Sequence, residues 1–394
     1  MLGCDGNVAA VGGWEGGGCF LLHFNGIFAF PPRVAVEIAV DTVTKWCQDH
    51  PETSVTNVIF DVFAEDNWEL YERNLKELAT LYPPLSKPLA LTLQKCHAEQ
   101  PSIRKALQWL QEADTLIISA GVGLSAATGL DYTSRAVFTK YFPAFVPLGL
   151  HRLYDVFGFD GWMSSWQKWG YYFNHLAMTR PWPKPPLYDT LKQLTHRFES
   201  RYFIRTSNAD GFFVENGFDE SRISTPQGQY RYLQCLAKCC RDAVFLSESF
   251  LTAALPCIDP ETQCLIDVSK VPVCKYCGGE LTLCVRGEDY FNSVRFREQE
   301  KKYQAFLGGT TRSYNTVILE TVAGMNTPVE LRWHNEGVVR ESEGNVRLVR
   351  AGIGAAECVP LEMAERNEAI GIEGELGSVI DALLAGSVDV KCHK

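Results

Sequence analysis

Apolar positions along the chain change their spacing several times, and each change marks an element. "PRVAVEIAVDTVTKWCQ" sets Val36, Ala39, Val40, Val43 and Trp46 at steps of three and four, which predicts a helix. "SVTNVIFDVF" (54–63) is almost continuously apolar and reads as a buried strand, and "AEDNWELYERNLKEL" is a helix with charges along its wet face. Three prolines within "YPPLSKP" (82–88) predict a linker. Beyond it come a helix at "PSIRKALQWLQEA", a strand at "DTLIISA", an aromatic-rich stretch from Tyr141 to Trp182, a helix at "LYDTLKQLTHRFES" and a strand at "RYFIRTSNADG". Strands "NTVILETVAG" and "NVRLVRAG" and a last helix near Glu375 to Leu384 complete the series. Strands alternating with helices predict an α/β fold built on a parallel, doubly wound sheet.

The 394 residues exceed one core, so a large domain and a smaller unit are expected. With 46% hydrophobic and 21% charged residues, most of the chain should fold. The net charge of −10 is dispersed and no basic run is long enough to follow a phosphate backbone, so no nucleic-acid partner is expected. No stretch reaches 18 apolar residues and the N-terminus lacks signal-peptide character, so neither a membrane partner nor secretion is expected, and the cytoplasm is the expected location. The 14 cysteines fit a reducing compartment and metal use better than stapling in a chain of this size.

The chemistry begins at "ADTLIISAGVGLSAATGLDY" (113–132), where an apolar strand runs into glycines and small residues. A glycine turn ahead of a helix start suits phosphate, because backbone amides can approach the oxygens and the helix end is partly positive. A packed glycine turn in any α/β protein gives the same signal. Cys235-x3-Cys239 and Cys274-x2-Cys277 offer four thiolates to a tetrahedral structural zinc, with Gly278-Gly279 as the knuckle. Cys240 can replace Cys239 in that set, and Cys257, Cys264 and Cys284 lie nearby.

Further motifs sharpen the picture. "TSNADGFFVENGF" followed by "TPQGQYRYLQC" resembles the sirtuin pattern, with Gln227-Gly228 where histidine-glycine is customary. "SAGVGLSAATGLDY", "QGQYRYLQC", "CKYCG", "ETVAGMNTP" and "ERNEAIGIEGELG" together resemble the macrodomain-linked, class M sirtuins, from about residue 101 to the C-terminus. The resemblance implies a Rossmann-type sheet with an inserted zinc-binding module and a helical lid, NAD as co-substrate, and protein ADP-ribosyltransferase activity. It implies a lipoylated acceptor related to the glycine-cleavage H carrier protein. Upstream, "LHFNGIFAFPPRVAVEIAVDTV" is similar to the C-terminal half of a macrodomain, whose phosphate loop corresponds to Phe24 to Pro31. The implied organisation is a partial macrodomain-like segment at 1–81, a linker at 82–100, and a sirtuin-type NAD-binding domain at 101–394 with the zinc module at about 235–290. Three departures stand out: Ser119 where the family has glycine, Pro226 inserted before Gln227, and a "DYTSRAVF" loop one residue longer.

On this resemblance Ala120, Gly121, Gly123, Ser125 and Gly129 form the cofactor loop, and Gly324, Asn326 and Thr327 lie near the adenosine. Asn208 orients the ribose or a water, and Asp210 grips the carboxamide; a polar strand end capping a turn is the plainer account of both. Gln227 does not titrate, so it cannot take a proton from the ribose hydroxyl as a deacylase histidine does, but it can hydrogen-bond the sugar. ADP-ribosyl transfer is thus chemically easier than deacylation. A deacylase and a non-catalytic binder of NAD or ADP-ribose are the two rival expectations.

Overall fold

The computed structural model describes residues 101–388 apart from 184, 288–289, 311–312 and 324–327, together with 57–61, 90–94, 45 and 49. Two short strands, β1 (Asn57–Asp61) and β2 (Ala90–Gln94), pair in parallel. β1 falls inside the strand expected at 54–63. β2 lies within the stretch 82–100 expected as linker: its alternation of Leu89, Leu91 and Leu93 with Ala90, Thr92 and Gln94 is a strand period that the preceding prolines mask. Of the helix expected at 32–48 only Lys45 is described, and it is helical. The phosphate loop at Phe24 to Pro31 and the helix at "AEDNWELYERNLKEL" lie outside the described residues.

From residue 101 the elements run α1 (Pro101–Glu112), β3 (Thr115–Ala120), α2 (Val122–Ala126), α3 (Arg135–Tyr141), α4 (Ser165–Thr179), α5 (Pro186–His196), β4 (Tyr202–Thr206), α6 (Phe212–Glu215) and β5 (Ile223–Ser224). Then follow β6 (Gly228–Cys235), β7 (Val244–Leu246), α7 (Ser247–Ala254), β8 (Leu281–Val285), α8 (Arg297–Thr310), β9 (Thr316–Thr321), α9 (Arg332–Glu341), β10 (Val346–Gly352), α10 (Leu361–Glu365), β11 (Ala369–Glu373) and α11 (Leu376–Val388).

Six strands form one parallel sheet in the order β11-β10-β9-β3-β4-β5. β3 and β9 are central and buried along their whole length. Alternation gives the two faces different covers. Ile117, Ile318, Phe203 and Leu348 pack with Tyr303 and Val339 of α8 and α9, whereas Leu116, Ile118, Leu319 and Val349 join a larger cluster with α1, α4, α5 and α11. After β3 the chain adds β4 and β5 on one side, then returns to add β9, β10 and β11 on the other. The order therefore reverses between β3 and β9. In open parallel sheets the crevice beyond the carboxyl ends of strands at such a reversal is where ligands bind.

β6, β7 and β8 form a separate antiparallel sheet in the order β7-β6-β8. The aromatic stretch folds into α3, α4 and short 3-10 turns at Pro143–Leu148 and Leu153–Val156. Trp169 and Tyr171 are buried there, while Trp166 remains exposed. The expected parallel α/β sheet, with an inserted cysteine module and a helical cover, is the architecture observed.

Candidate functional site at the strand reversal

β3 and β9 run side by side, and their exits lie closer than ordinary residues allow. A Cβ on Gly121 would sit 2.5 Å from the Val322 carbonyl oxygen and 2.6 Å from Ala323 Cα. The Gly121 amide donates to the Thr321 oxygen at 3.1 Å and the Gly123 amide to the Val322 oxygen at 3.3 Å. In this structure, then, the glycines of the loop seal β3 to β9, and these two amides are engaged within the protein. That differs from the expectation of free amides facing phosphate: the close strand spacing that demands glycine also supplies the carbonyls that use its N–H groups. Val322 itself has φ of 41°, a left-handed conformation that a β-branched residue rarely adopts.

The end of β4 is tied to the same loop. Thr206 Oγ1 donates to the Ala120 oxygen at 2.8 Å, and Asn208 Nδ2 donates to the Gly121 oxygen at 2.9 Å and to Ser125 Oγ at 3.0 Å. Ser125 Oγ in turn donates to Asp210 Oδ2 at 2.6 Å, while the Phe212 amide donates to Oδ1 at 3.0 Å. Ser125 and Ala120 are fully enclosed and Asn208 is 8% exposed. Burial pushes the Asp210 carboxyl above the usual carboxylate range, against the Phe212 and Ser125 hydrogen bonds that favour its charge. Asn208 and Asp210 thus do more than cap their own turn: they bind a loop more than 80 residues away.

Gln227 sits on the turn between β5 and β6, held by the Arg286 amide donating to the Gln227 oxygen at 2.8 Å and Arg286 Nε donating to the Pro226 oxygen at 3.2 Å. Gly228 has φ of 89°, and a Cβ there would meet the Cys284 oxygen at 2.2 Å, so this turn requires glycine. The Gln227 side chain makes no hydrogen bond to Asn208 or Asp210. Gly129 (φ 87°) is exposed at the far end of the loop, and Arg135 is exposed at the start of α3. Gly324, Asn326 and Thr327 lie outside the described residues.

Ser119, the position where glycine was the expectation, is buried in β3 and its Oγ accepts from Asn335 Nδ2 at 2.8 Å. Asn335 also donates to Glu320 Oε2 at 2.8 Å, and the fully buried Arg350 donates to Glu320 at 2.6 and 3.1 Å and to Glu336 at 3.0 Å. Burial opposes the charge of Arg350, and the Glu320 and Glu336 carboxylates more than offset it, raising its pKa. This polar cluster lies beneath the reversal point and was not anticipated. Nor was the buried group of Tyr132, His175 and Tyr230, in which His175 Nε2 lies 3.1 Å from the Tyr132 hydroxyl and the imidazole stands edge-on to the Tyr230 ring. The "QGQY" and "GLDY" strings contain two of them, but nothing in their spacing says that they meet.

In the module, Cys235, Cys239, Cys274 and Cys277 converge, with all four sulfurs within 4.8 Å of one another. A tetrahedral zinc with bonds near 2.3 Å sets its sulfurs about 3.8 Å apart. Two pairs here, Cys235 with Cys277 and Cys239 with Cys274, are at 3.6 Å. Gly278 N donates to the Cys274 oxygen at 2.7 Å and Gly279 N to Cys277 Sγ at 3.4 Å, forming the expected knuckle. All four thiols are free, so the donor set fits a closed structural zinc, and the choice between Cys239 and Cys240 falls to Cys239.

A doubly wound α/β protein with a site at its strand reversal and a four-thiolate module is the class these features define. Among known proteins, the chain is 42% identical over 362 residues, 91% of its length, to a Fusarium oxysporum f. sp. cubense protein named "Probable bifunctional ADP-ribose hydrolase/ADP-ribosyltransferase", and it spans 59% of that protein. It is 24% identical over 247 residues to a Staphylococcus aureus "Protein ADP-ribosyltransferase", covering 61% of this chain and 74% of that one. A 48-residue stretch, 12% of the chain, is 38% identical to a Listeria monocytogenes macro domain-containing protein, of which it covers 27%. No family model matches the chain. Among solved structures, a "Sir2 homolog-NAD complex" superposes with a TM-score of 0.46 at 15% identity, covering 75% of this chain and 98% of that one. Among the described residues no helix is long and apolar enough to cross a membrane.

Proposed function

We propose that the chain is an NAD-consuming protein ADP-ribosyltransferase of the sirtuin type, with 101–394 as its catalytic domain and 1–81 as a partial macrodomain, to which β2 at Ala90–Gln94 in the following segment adds a strand. One observation carries the reading: Asn208, Ser125 and Asp210 are hydrogen-bonded into one unit with the Gly121 loop, at the strand reversal where open parallel sheets bind their ligands. The names borne by the two ADP-ribosyltransferase relatives support it, as do the sirtuin-like motifs from 113 onward.

The chemistry follows from the groups. In NAD the bond between nicotinamide and ribose C1′ breaks, its electron pair leaves on the nicotinamide nitrogen, and C1′ bonds to an acceptor nucleophile that gives up a proton. Charge develops on the sugar as the bond lengthens, and fixed dipoles aimed there lower the barrier. Asn208 keeps a carbonyl oxygen free of its two donor contacts and presents it at the crevice for the ribose or a nucleophile. Asp210 accepts from the carboxamide and holds the leaving group. Gln227 hydrogen-bonds the ribose hydroxyls without titrating, so the sugar is captured by the acceptor and not by its own hydroxyl. Ala120, Gly121, Gly123, Ser125, Gly129, Gly324, Asn326 and Thr327 line the rest of the dinucleotide. The Val322 turn, which lies against Gly123, moves aside to admit the pyrophosphate. Zinc on the four cysteines shapes the module that flanks this edge. The acceptor is a protein, and a lipoylated carrier of the glycine-cleavage H type is the class the motif resemblance favours.

Labelled NAD, purified chain and a lipoylated carrier test the proposal. Transfer of label to protein with release of one nicotinamide is expected, falling about 100-fold in Asn208→Ala and about tenfold in Gln227→Ala. Acyl-lysine turnover in place of label transfer would convert the reading to a deacylase. Neither label nor nicotinamide release, with NAD still bound, would make the chain a binder only.

A further inference from the structure

Between α8 and α9, which cover one face of the sheet, lies a cleft of about 490 Å³, a size that accepts a small organic molecule. Leu307 and Val338 line it and join the core beneath. Gly308 stands on the α8 wall and Gly337 on the α9 wall. Neither is demanded by its surroundings as Gly121 and Gly228 are: neither has a positive φ, and a Cβ on either would meet no described atom within 4 Å. Glycine weakens a helix interior, so two of them facing one cleft without a close contact to explain them are accounted for by the space they leave.

The charge of the cleft is one-sided. Glu341 is the single charged side chain among the described residues that line it, and it forms no ion pair among the described residues. His334 also lines the cleft, its Nε2 3.0 Å from the Tyr303 hydroxyl, and burial aided by the Arg205 charge pushes it down to about 4, so its ring is neutral near pH 7. α8 leads into β9 and α9 into β10, so in the parallel sheet the C-terminal ends of both helices point toward the same edge, opposite the reversal crevice. The last turn of α8 has no basic residue, and Arg340 in the last turn of α9 is taken up by Glu336 at 3.9 Å and Glu362 at 2.8 Å. The carbonyl dipoles of these turns add to the Glu341 charge.

An aromatic wall completes the set. Trp333 lines the cleft and is 44% exposed. Trp333, Gly337 and Glu341 follow one another at steps of four on α9, so the indole and the carboxylate lie on one side of the helix about 12 Å apart along its axis, with the glycine midway. We propose that this cleft is a binding site for an arylalkylammonium ion, its ring beside Trp333 and Leu307, its chain passing Gly337 and its ammonium beside Glu341. The same charge disfavours anions, NAD and ADP-ribose among them, so the site is separate from the one at the strand reversal and does not depend on it.

Tryptamine, a cation at pH 7, and indole-3-propionate, which keeps the ring and chain but ends in a carboxylate, test the proposal by titration calorimetry on the full chain. One tryptamine per chain is expected, with a Kd about tenfold below that of indole-3-propionate. Gly337→Leu fills the space and favours the helix, so it should raise Tm, abolish tryptamine binding and leave the Kd for NAD unchanged. Gly308→Leu, on the opposite wall, should also abolish binding. Glu341→Gln should weaken tryptamine about tenfold without weakening indole-3-propionate. The proposal is overturned if the unaltered chain binds no tryptamine, if it binds the amine and the acid equally, if both leucine variants bind tryptamine as before, or if saturating NAD displaces tryptamine.

Discussion

The strand-reversal site and the four-cysteine module are both assembled from residues distant in sequence, yet they are held in opposite ways. In the module, two short spacings bring two thiols each, and antiparallel pairing of Cys235 with Leu281 brings the halves together. A zinc ion would bind the four as thiolates and lock the convergence, in which two sulfur pairs stand at 3.6 Å. At the reversal site the ties are hydrogen bonds. Side chains from β3, β4, β9 and α9 hydrogen-bond to one another and to backbone, and glycine lets two strand exits touch. One region is built to be closed by a metal ion, the other by hydrogen bonds within the protein.

Chelation should expose this difference most strongly. Structural zinc contributes about 10–16 kcal/mol of apparent binding free energy in small cysteine sites, so its removal leaves little to hold the module. Titration of the chain with a strong chelator is expected to release one zinc per chain and to render 235–285 sensitive to protease, while the six-stranded sheet keeps its far-ultraviolet dichroism. Cys277→Ser should behave the same way without chelator. Simultaneous loss of the sheet signal would show that the two regions form one cooperative unit.

Next in size is the polar cluster beneath the reversal. Arg350→Ala leaves the buried Glu320 carboxylate without its cation and Glu336 with only Arg340, 3.9 Å away, and breaking a buried pair in this way costs about 3–5 kcal/mol. Denaturant unfolding should show that loss with zinc content unchanged. Replacing the partners together, Arg350→Met with Glu320→Leu, removes the stranded charge and is expected to recover much of it. No recovery would mean that the Asn335 and Ser119 hydrogen bonds, which the double variant also disturbs, carry the larger share.

Legibility from sequence follows the same division. β3, β4, β9, β10, α1, α5 and α11 were readable because their buried faces are apolar at the right period. α9 was not, although its buried residues Arg332, Asn335, Glu336 and Val339 fall at the steps expected of a helix. Three of the four are polar, so an apolar pattern cannot reveal a face that turns inward to satisfy Arg350 and Ser119. α8 is dominated by charge, burying only Tyr303, Leu307 and Thr310, and β11 is five residues long. The cysteine set was legible because thiolate spacing is local. Asn208, Asp210 and Ser125 could be singled out from motifs, but their mutual hydrogen bonds depend on the parallel register of β3 with β4, which places Ala120 opposite Thr206. The contact of Tyr132 with His175 had no sequence signal, because it depends on how α4 packs against the segment between α2 and α3.

The smallest expected effect bears on the seam between β3 and β9. A methyl group on Gly121 would meet backbone atoms at 2.5 and 2.6 Å, and neither the Val322 carbonyl nor the Ala323 Cα can rotate away as a side chain would. On Gly123 the clash is with the Val322 side chain, at 2.0 Å to Cγ1 and 2.3 Å to Cβ, on a residue already held at positive φ. Overpacking of a closed contact costs about 1–3 kcal/mol, so Gly121→Ala should lose stability within that range, since strand exits must part. Gly123→Ala should lose less, because displacing the Val322 turn relieves its left-handed backbone as well as the clash. Calorimetric melting of the two variants, with and without NAD, separates these outcomes. If admitting the dinucleotide requires the Val322 turn to retreat, NAD should stabilise Gly123→Ala by at least as much as the unaltered chain, and a smaller ligand-induced rise in Tm would show that the turn stays closed over the cofactor loop.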